Sequence, residues 1–138
     1  MGEPFIAWRG TERDPVTIRC PTCQKTFDHL AWTLVNVRQS PELLYQLLND
    51  ELFKITCPHC DSTFILKQPC LYLDPQNNAC IYLVISKEMA RKAAAMFEDA
   101  ANSEGPSGGG HVARRIVFDR HELKQQVITH TLGQASTL

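Results

Sequence analysis

The sequence has no excess of basic residues. Its 14 lysine and arginine residues are balanced by 15 aspartate and glutamate residues, which gives a formal net charge of −1. Proteins that bind nucleic acid without sequence preference usually carry a basic excess, because their affinity comes largely from neutralised phosphates. The charge balance therefore counts against non-specific binding of DNA or RNA, and it leaves a local basic patch as an alternative.

Long apolar runs and targeting signals are also lacking. The longest apolar stretches, such as residues 81–85, are far too short to span a bilayer. The first residues have neither the cationic region nor the apolar stretch of a secretory signal peptide. Ile6 stands where a myristoylation motif requires Ser or Thr. We therefore expect a cytoplasmic protein without a membrane partner.

Residue sets typical of catalysis are missing as well. The sequence has no recognisable Ser/His/Asp set, carboxylate pair or phosphate-binding loop. The glycines at positions 108–110 lack the strand-to-helix context and the lysine of a P-loop. These absences disfavour an enzyme and favour a role in binding.

The sequence does contain one short motif twice. Ile, Cys, Pro, Cys, Thr and Phe recur in the same order in Ile18-Arg19-Cys20-Pro21-Thr22-Cys23-Gln24-Lys25-Thr26-Phe27 and in Ile55-Thr56-Cys57-Pro58-His59-Cys60-Asp61-Ser62-Thr63-Phe64. Each Cys-Pro-x-Cys turn can place two thiolates on one side of a metal ion, and two such turns complete a tetrahedral set. Four thiolates in that geometry favour zinc. The predicted ligands of one structural Zn²⁺ are Cys20, Cys23, Cys57 and Cys60.

A metal site of this kind is closed and has no catalytic role. All four coordination positions are filled by protein, so no metal-bound water is left to activate. The expected effect is on folding, because structural zinc contributes about 10–16 kcal/mol of apparent binding free energy. His59, inside the second motif, is expected on the outside of the turn rather than among the ligands.

The cysteines have other conceivable uses. Six cysteines are an even number, as in disulfide-bonded proteins, but close Cys-x-x-Cys pairs without a signal peptide favour metal binding or redox chemistry. The second motif also matches the active site of a thiol oxidase, in which the first cysteine opens a helix; here the following residues favour a strand. Cys70 and Cys80 are expected to be small buried side chains, with a disulfide or a second metal as alternatives.

Alternating apolar residues predict two strands around the first motif. Residues 16–19 form a short strand that leads into it, and residues 27–37 form a longer one after it. In the longer strand, the alternation places Leu30, Trp32 and Leu34 on one face.

A helix is predicted between the two cysteine pairs. Ser40 followed by Pro41 is typical of a helix start, with Ser40 as the N-cap, and the helix spans residues 40–50. Because this helix and the strand before it lie between the pairs, the metal would hold their two ends together.

The second half predicts a hairpin, a helix and a final strand–helix unit. Residues 71–85 favour a β-hairpin, and residues 87–102 carry an apolar face at helical spacing. Residues 104–110 are rich in Gly, Ser and Pro and predict a flexible loop. The strand–helix unit at residues 111–132 has too little apolar surface for a core of its own, so we expect it to dock on the preceding sheet.

Together these elements predict an α+β fold in a single domain over residues 1–138. Its core, over residues 16–103, would be a zinc-ribbon-like antiparallel sheet with the two Cys-x-x-Cys knuckles and the inserted helix. With 138 residues, 43% of them apolar, the chain is large enough for an ordinary apolar core beside the metal.

Basic residues form only a loose group. They are Arg114, Arg115, Arg120 and Lys124 near the C-terminus, and Lys87, Arg91 and Lys92 on the preceding helix. Such groups are usually solvated faces, and no run of exposed aromatic residues accompanies them as single-strand stacking would require.

Several of these features resemble a known family. The paired Cys-Pro-x-Cys motifs, a Pro-Glu-Leu helix between them, a Leu-Tyr-Leu-Asp stretch and a late Arg-Arg-Ile-Val-Phe…Glu-Leu segment are similar to the CpXC domain family, over residues 16–127. The resemblance implies a prokaryotic protein that binds zinc through Cys20, Cys23, Cys57 and Cys60. It implies no particular biochemical activity.

Two functions are consistent with these observations. The first is a non-catalytic, zinc-stabilised module that binds another protein, which fits the near-neutral charge and the closed metal site. The alternative is a nucleic-acid-binding, transcription-associated zinc ribbon in which Arg114 and Arg115 contact the nucleic acid.

Overall fold

The computed structural model describes residues 9–104 and 112–132. The elements in chain order are β1 (Glu12–Arg19), β2 (Thr26–Asn36), α1 (Glu42–Leu48), β3 (Lys54–Thr56), β4 (Thr63–Ile65), β5 (Cys70–Asp74), β6 (Ala79–Leu83), α2 (Lys87–Glu104), β7 (Ala113–Val117) and α3 (Arg120–Val127). A 3₁₀ turn (Pro75–Asn77) joins β5 to β6, and α3 continues into a π-helical turn (Ile128–Leu132). The loop predicted at residues 104–110 lies outside the described residues, except for Glu104 at the end of α2.

The predicted α+β class is confirmed, but the sheet is mixed rather than antiparallel. Among the described residues, the main sheet has five strands in the order β1-β2-β5-β6-β7, and β3 and β4 form a separate antiparallel hairpin. β1 with β2, and β5 with β6, pair antiparallel, whereas β2 with β5, and β6 with β7, pair parallel. Parallel neighbours arise because the connection between them contains a helix that crosses back over the sheet.

Helices cover both faces of this sheet. On one face, Leu43 of α1 and Leu123 of α3 belong to the same buried cluster as Val35 and Tyr72 of the sheet. On the other face, Phe97 of α2 packs with residues of β2, β5 and β6. The final unit docks as predicted, with β7 paired to β6 and α3 packed against both strands.

A β-bulge alters the predicted alternation in β2. The register shifts between Glu12 and Arg13, whose partners are Leu34 and Trp32, so Thr33 is the extra residue. Trp32 then packs against the cluster on the α1 and α3 face, whereas Leu34 belongs to the cluster on the α2 face. The prediction that these two residues share a face is wrong, because the extra residue shifts the alternation by one position.

The starts of α1 and α3 are capped differently, and the N-cap predicted at Ser40 does not form. No side-chain hydrogen bond caps α1, and the Ser40 hydroxyl instead lies 2.9 Å from the hydroxyl of Thr11. At α3, the Glu122 N–H donates to Asp119 Oδ1 over 2.9 Å, and the Phe118 N–H donates to Glu122 Oε1 over 2.7 Å. Asp119 is thus the N-cap, and Glu122 forms a variant of the capping box in which it accepts from the N–H one residue before the cap. No helix in the described ranges is long and apolar enough to cross a membrane.

Candidate metal centre

Two turns with the same backbone bonds carry the four cysteines. In the first turn, the Cys20 N–H donates to the Lys25 carbonyl and the Gln24 N–H donates to the Cys20 carbonyl, both over 2.9 Å. In the second turn, the equivalent bonds are also 2.9 Å long and join Cys57 to Ser62 and Asp61 to Cys57. The repeated motif therefore folds into a repeated structure.

The residue after each second cysteine has a left-handed backbone. Gln24 has φ of 66° and Asp61 has φ of 61°. Glycine adopts this conformation freely, whereas other residues pay a steric cost for it. Both turns have this left-handed conformation at the same position, which indicates that the placement of the cysteines depends on it.

The four predicted ligands are brought together at one point. Cys20 Sγ lies 3.7 Å from Cys60 Sγ, and Cys23 Sγ lies 3.7 Å from Cys57 Sγ. All four sulfurs lie within 4.8 Å of one another. Zn–S bonds of about 2.3 Å in tetrahedral geometry place sulfurs about 3.8 Å apart, whereas a disulfide requires about 2.05 Å. The sulfur positions therefore fit one four-coordinate metal ion.

Backbone N–H groups point at the first sulfur of each turn. The N–H groups of Thr22 and Cys23 lie 3.3 and 3.5 Å from Cys20 Sγ, and that of His59 lies 3.3 Å from Cys57 Sγ. Donors in this position stabilise a thiolate, because they partly neutralise its negative charge. Cys20 and Cys57 are also the buried pair, while Cys23 is half-buried and Cys60 is exposed.

Ser62 belongs to the candidate site, although the sequence did not indicate it. Its hydroxyl lies 3.1 Å from Cys60 Sγ and 3.4 Å from Cys20 Sγ, so it joins sulfurs from both turns. This hydroxyl, followed by the backbone N–H of Cys23, lowers the pKa of Cys20 to about 5, and it also lowers the pKa of Cys60. A small hydroxyl residue two positions after a ligand was the only signal for it, since the first turn has Lys25 there.

The pKa of Cys23 is shifted in the opposite direction. A backbone hydrogen bond from Lys25 lowers its pKa, but burial and the neighbouring thiols, Cys57 first, outweigh that bond and raise the pKa to about 11. Four thiolates held this close repel one another, and a bound cation removes that repulsion. The donor set is therefore suited to a metal cation.

Aromatic rings pack beside the cysteine cluster. Phe27 and Phe64, which end the two motifs, meet edge to face with ring centroids 6.4 Å apart, and Phe27 contacts the ring of His59 at 6.5 Å. His59 is exposed, with a ring nitrogen 3.3 Å from the Thr26 carbonyl. It lies outside the cysteine cluster, as predicted.

Cys70 and Cys80 are buried thiols, as expected. Cys70 belongs to the cluster on the α1 and α3 face, and Cys80 belongs to the cluster on the α2 face. Burial raises the pKa of each to about 12. Because the sheet separates them, they form neither a disulfide nor a second metal site with each other.

Arg114 and Arg115 do not share a surface. They are consecutive in β7, opposite Cys80 and Ile81 of β6, so their side chains leave the sheet on opposite faces. Arg114 is half-buried and Arg115 is exposed. The two cations therefore lie on opposite faces of the sheet and do not form one basic patch.

A family model described as CpXC protein matches residues 18–134, which includes both cysteine motifs and every element from the end of β1 to α3. No curated protein and no solved structure gave a match.

Proposed function

This chain belongs to the CpXC protein family, and we propose that it is a non-catalytic, zinc-stabilised module that binds another protein. The proposal has two parts, the metal and the partner. They rest on different observations, and they are supported separately.

Zinc is the proposed metal because the donor set consists of four thiolates at tetrahedral spacing. Cys20, Cys23, Cys57 and Cys60 would hold it, and the ion would supply fixed geometry and charge neutralisation. With four protein ligands no coordination position is open, so the role is structural. Reduced thiols are required for binding, which favours a reducing compartment such as the cytoplasm.

The metal would attach one hairpin to the rest of the fold. Cys20 and Cys23 lie in the turn between β1 and β2, and Cys57 and Cys60 lie in the turn between β3 and β4. In the part of the chain that the structure describes, β3 and β4 pair only with each other. A four-thiolate site therefore fixes a hairpin that the main sheet does not hold through backbone pairing.

Binding of a protein is supported by one exposed groove next to that hairpin. The groove, called the apolar groove below, has a volume of about 470 Å³ and is lined by Phe53, residues 65–68, Leu83, Ile85 and residues 118–121. Ile65, Ile85 and Phe118 in its lining are 36%, 52% and 51% exposed. Large apolar side chains that are exposed together commonly mark interaction sites, and this is the observation that carries the proposal.

The groove depends on the metal-bound hairpin for one of its walls. Ile65 ends β4, while Ile85 follows β6 and Phe118 follows β7. If the metal holds β4 in place, the groove keeps its shape only when the ion is bound. Binding of the structural ion would then be required for the shape of the binding surface.

Photo-crosslinking in cells tests the proposal. A photoreactive phenylalanine analogue replaces Phe118 in the groove and, as the matched control, Tyr45, which lies on α1 outside the groove and is 65% exposed. We expect the analogue at position 118, but not the one at position 45, to form a discrete crosslinked adduct with a protein. Nuclease treatment should leave this adduct unchanged, and the substitution Ile85→Ser should abolish it. Identical adducts from both positions, or adducts to nucleic acid alone, would contradict it.

A further inference from the structure

A second groove shares residues 65–68 with the apolar groove. Its lining comes from two extended segments, residues 16–19 of β1 and residues 64–68 at and after β4, with Pro21 at one end. Its volume is about 440 Å³. We call it the strand-edge groove, because β1 is an edge strand of the main sheet and β4 is an edge strand of its hairpin.

The free backbone groups of β1 can be identified from its pairing with β2. The Cys20 N–H donates to the Lys25 carbonyl, so Cys20 lies at a hydrogen-bonded position of that ladder. Because hydrogen-bonded and non-hydrogen-bonded positions alternate in antiparallel pairs, Arg19 and Thr17 point their N–H and C=O groups away from β2. Pro15 takes the next outward position, where its missing N–H breaks no ladder bond.

The same argument applies to the opposite wall. The Leu66 N–H donates to the Phe53 carbonyl, so Leu66 faces β3 and its neighbours Ile65 and Lys67 face outward. Within residues 9–104 and 112–132, neither strand edge has a pairing partner. Two rows of unused backbone donors and acceptors therefore belong to residues of this groove.

The charge of the groove has one sign. No aspartate or glutamate lines it, and its charged residues are Arg19 and Lys67. Neither of them forms an ion pair with a residue that the structure describes. Arg19 precedes the ligand Cys20, so the negative thiolates offset part of its charge. Lys67 is the cation left to interact with a partner.

We propose that the strand-edge groove binds a short extended peptide segment with acidic residues beside β-branched ones, which pairs with the outer edge of β1. This inference rests on the proposed function and gives the protein partner a second contact surface, which shares residues 65–68 with the apolar groove. Main-chain bonds to Thr17 and Arg19 supply the pairing, and a carboxylate of the segment contacts Lys67. Pro15 on one side and the Cys20 turn on the other keep the paired stretch short.

Selection from a library of short random peptides displayed on phage, against the zinc-loaded protein, tests this inference. We expect enrichment of acidic, β-branched sequences that slow amide exchange at Thr17 and Arg19 when bound. Lys67→Glu should lower the affinity of these peptides by roughly tenfold or more, because the new carboxylate repels the acidic peptide. Lys67→Gln should lower the affinity by less, because it removes the attraction without adding repulsion.

Two variants of one residue isolate the backbone contribution. Thr17→Pro removes an outward N–H and leaves the β1–β2 ladder intact, as Pro15 already does, while Thr17→Val keeps that N–H. Both lose the hydroxyl bond from Thr17 to Asp28, which makes them a matched pair. We expect Thr17→Pro to lower the affinity of the selected peptides several-fold relative to Thr17→Val, with zinc content and melting temperature equal in both.

Other outcomes would overturn the inference. These are no enrichment, enrichment of neutral or basic peptides, equal affinity in the two Thr17 variants, displacement by a single-stranded oligonucleotide, or self-association of the protein that Thr17→Pro abolishes. If any of these occurs while Phe118 still crosslinks to a protein, the inference fails and the proposed function stands. If the crosslink also fails, both are wrong.

Discussion

The rings of Phe27 and Phe64 meet edge to face, 6.4 Å between centroids and 69° between planes. These two residues occupy the same position in the two motif copies, so the contact joins each copy to its repeat. Edge-to-face aromatic pairs contribute about 0.5–1.5 kcal/mol beyond the area they bury. The two knuckles are therefore held together by side-chain packing as well as by their sulfurs.

Loss of one ligand should release the metal. Cys57→Ser removes a buried thiolate, and we expect zinc content to fall below one ion per chain and the melting temperature to drop, because the bound ion stabilises the two cysteine turns. Metal analysis and calorimetry measure both. Cys80→Ala is the control, because Cys80 is buried outside the cluster; it should keep its zinc. A Cys57→Ser protein with unchanged zinc and stability would refute the site.

Removal of the Ser62 hydroxyl should shift metal binding to higher pH. That hydroxyl lowers the pKa of Cys20, to about 5, and of Cys60. In Ser62→Ala both pKa values rise, so protons compete with the metal up to a higher pH and the midpoint of zinc uptake moves upward. Ser62→Thr should restore the midpoint. Titration of zinc occupancy against pH measures it, and equal midpoints in Ser62→Ala and the unmodified protein would contradict the assigned role.

Glycine at position 61 should stabilise the second knuckle. Asp61 has φ of 61°, a conformation that is strained for a residue with a Cβ atom and unstrained for glycine. We expect Asp61→Gly to raise the free energy of unfolding by about 0.5–1 kcal/mol, and Asp61→Val to lower it by more than that, because a β-branched side chain tolerates positive φ poorly. Denaturant unfolding of the zinc-loaded proteins gives both values. If Asp61→Gly were less stable than Asp61→Val, the left-handed backbone at position 61 would not be a source of strain.

Chelation should loosen one part of the molecule first. β3 and β4 pair with each other and not with the main sheet, whereas β5 and β6 lie in the buried centre of that sheet. After zinc is removed, we expect fast amide exchange at residues 54–65 and continued protection at residues 70–83. Hydrogen exchange followed by mass spectrometry measures the difference. Equal loss of protection in both segments would mean that the ion supports the whole fold.

The cysteine cluster could be predicted from the sequence because the bonds that form its two turns are local. Each Cys-Pro-x-Cys turn closes through bonds within six residues, from Cys20 to Lys25 and from Cys57 to Ser62. Such spacing predicts the turn without knowledge of the rest of the fold. The capping of α3 by Asp119 and Glu122 is predictable for the same reason.

The features that were not predicted depend on distant parts of the chain. β2 pairs in parallel with β5, and that choice follows from how the intervening helix and hairpin cross the sheet. Ser40 has the sequence signature of an N-cap, yet its hydroxyl contacts Thr11, which lies far away in sequence. Ser62 acts on Cys20 across the knuckles, a relationship that only the assembled centre reveals.

Pro15 has a consequence for how this protein behaves at high concentration. An edge strand with a full row of free N–H groups is a template on which further copies of a chain can stack into an open-ended sheet. In β1 that row is interrupted at Pro15, beside the outward-facing Thr17 and Arg19. Because proline cannot donate a ladder hydrogen bond, Pro15 shortens the run of free N–H groups on which a second copy could pair, and it thereby limits edge-to-edge aggregation.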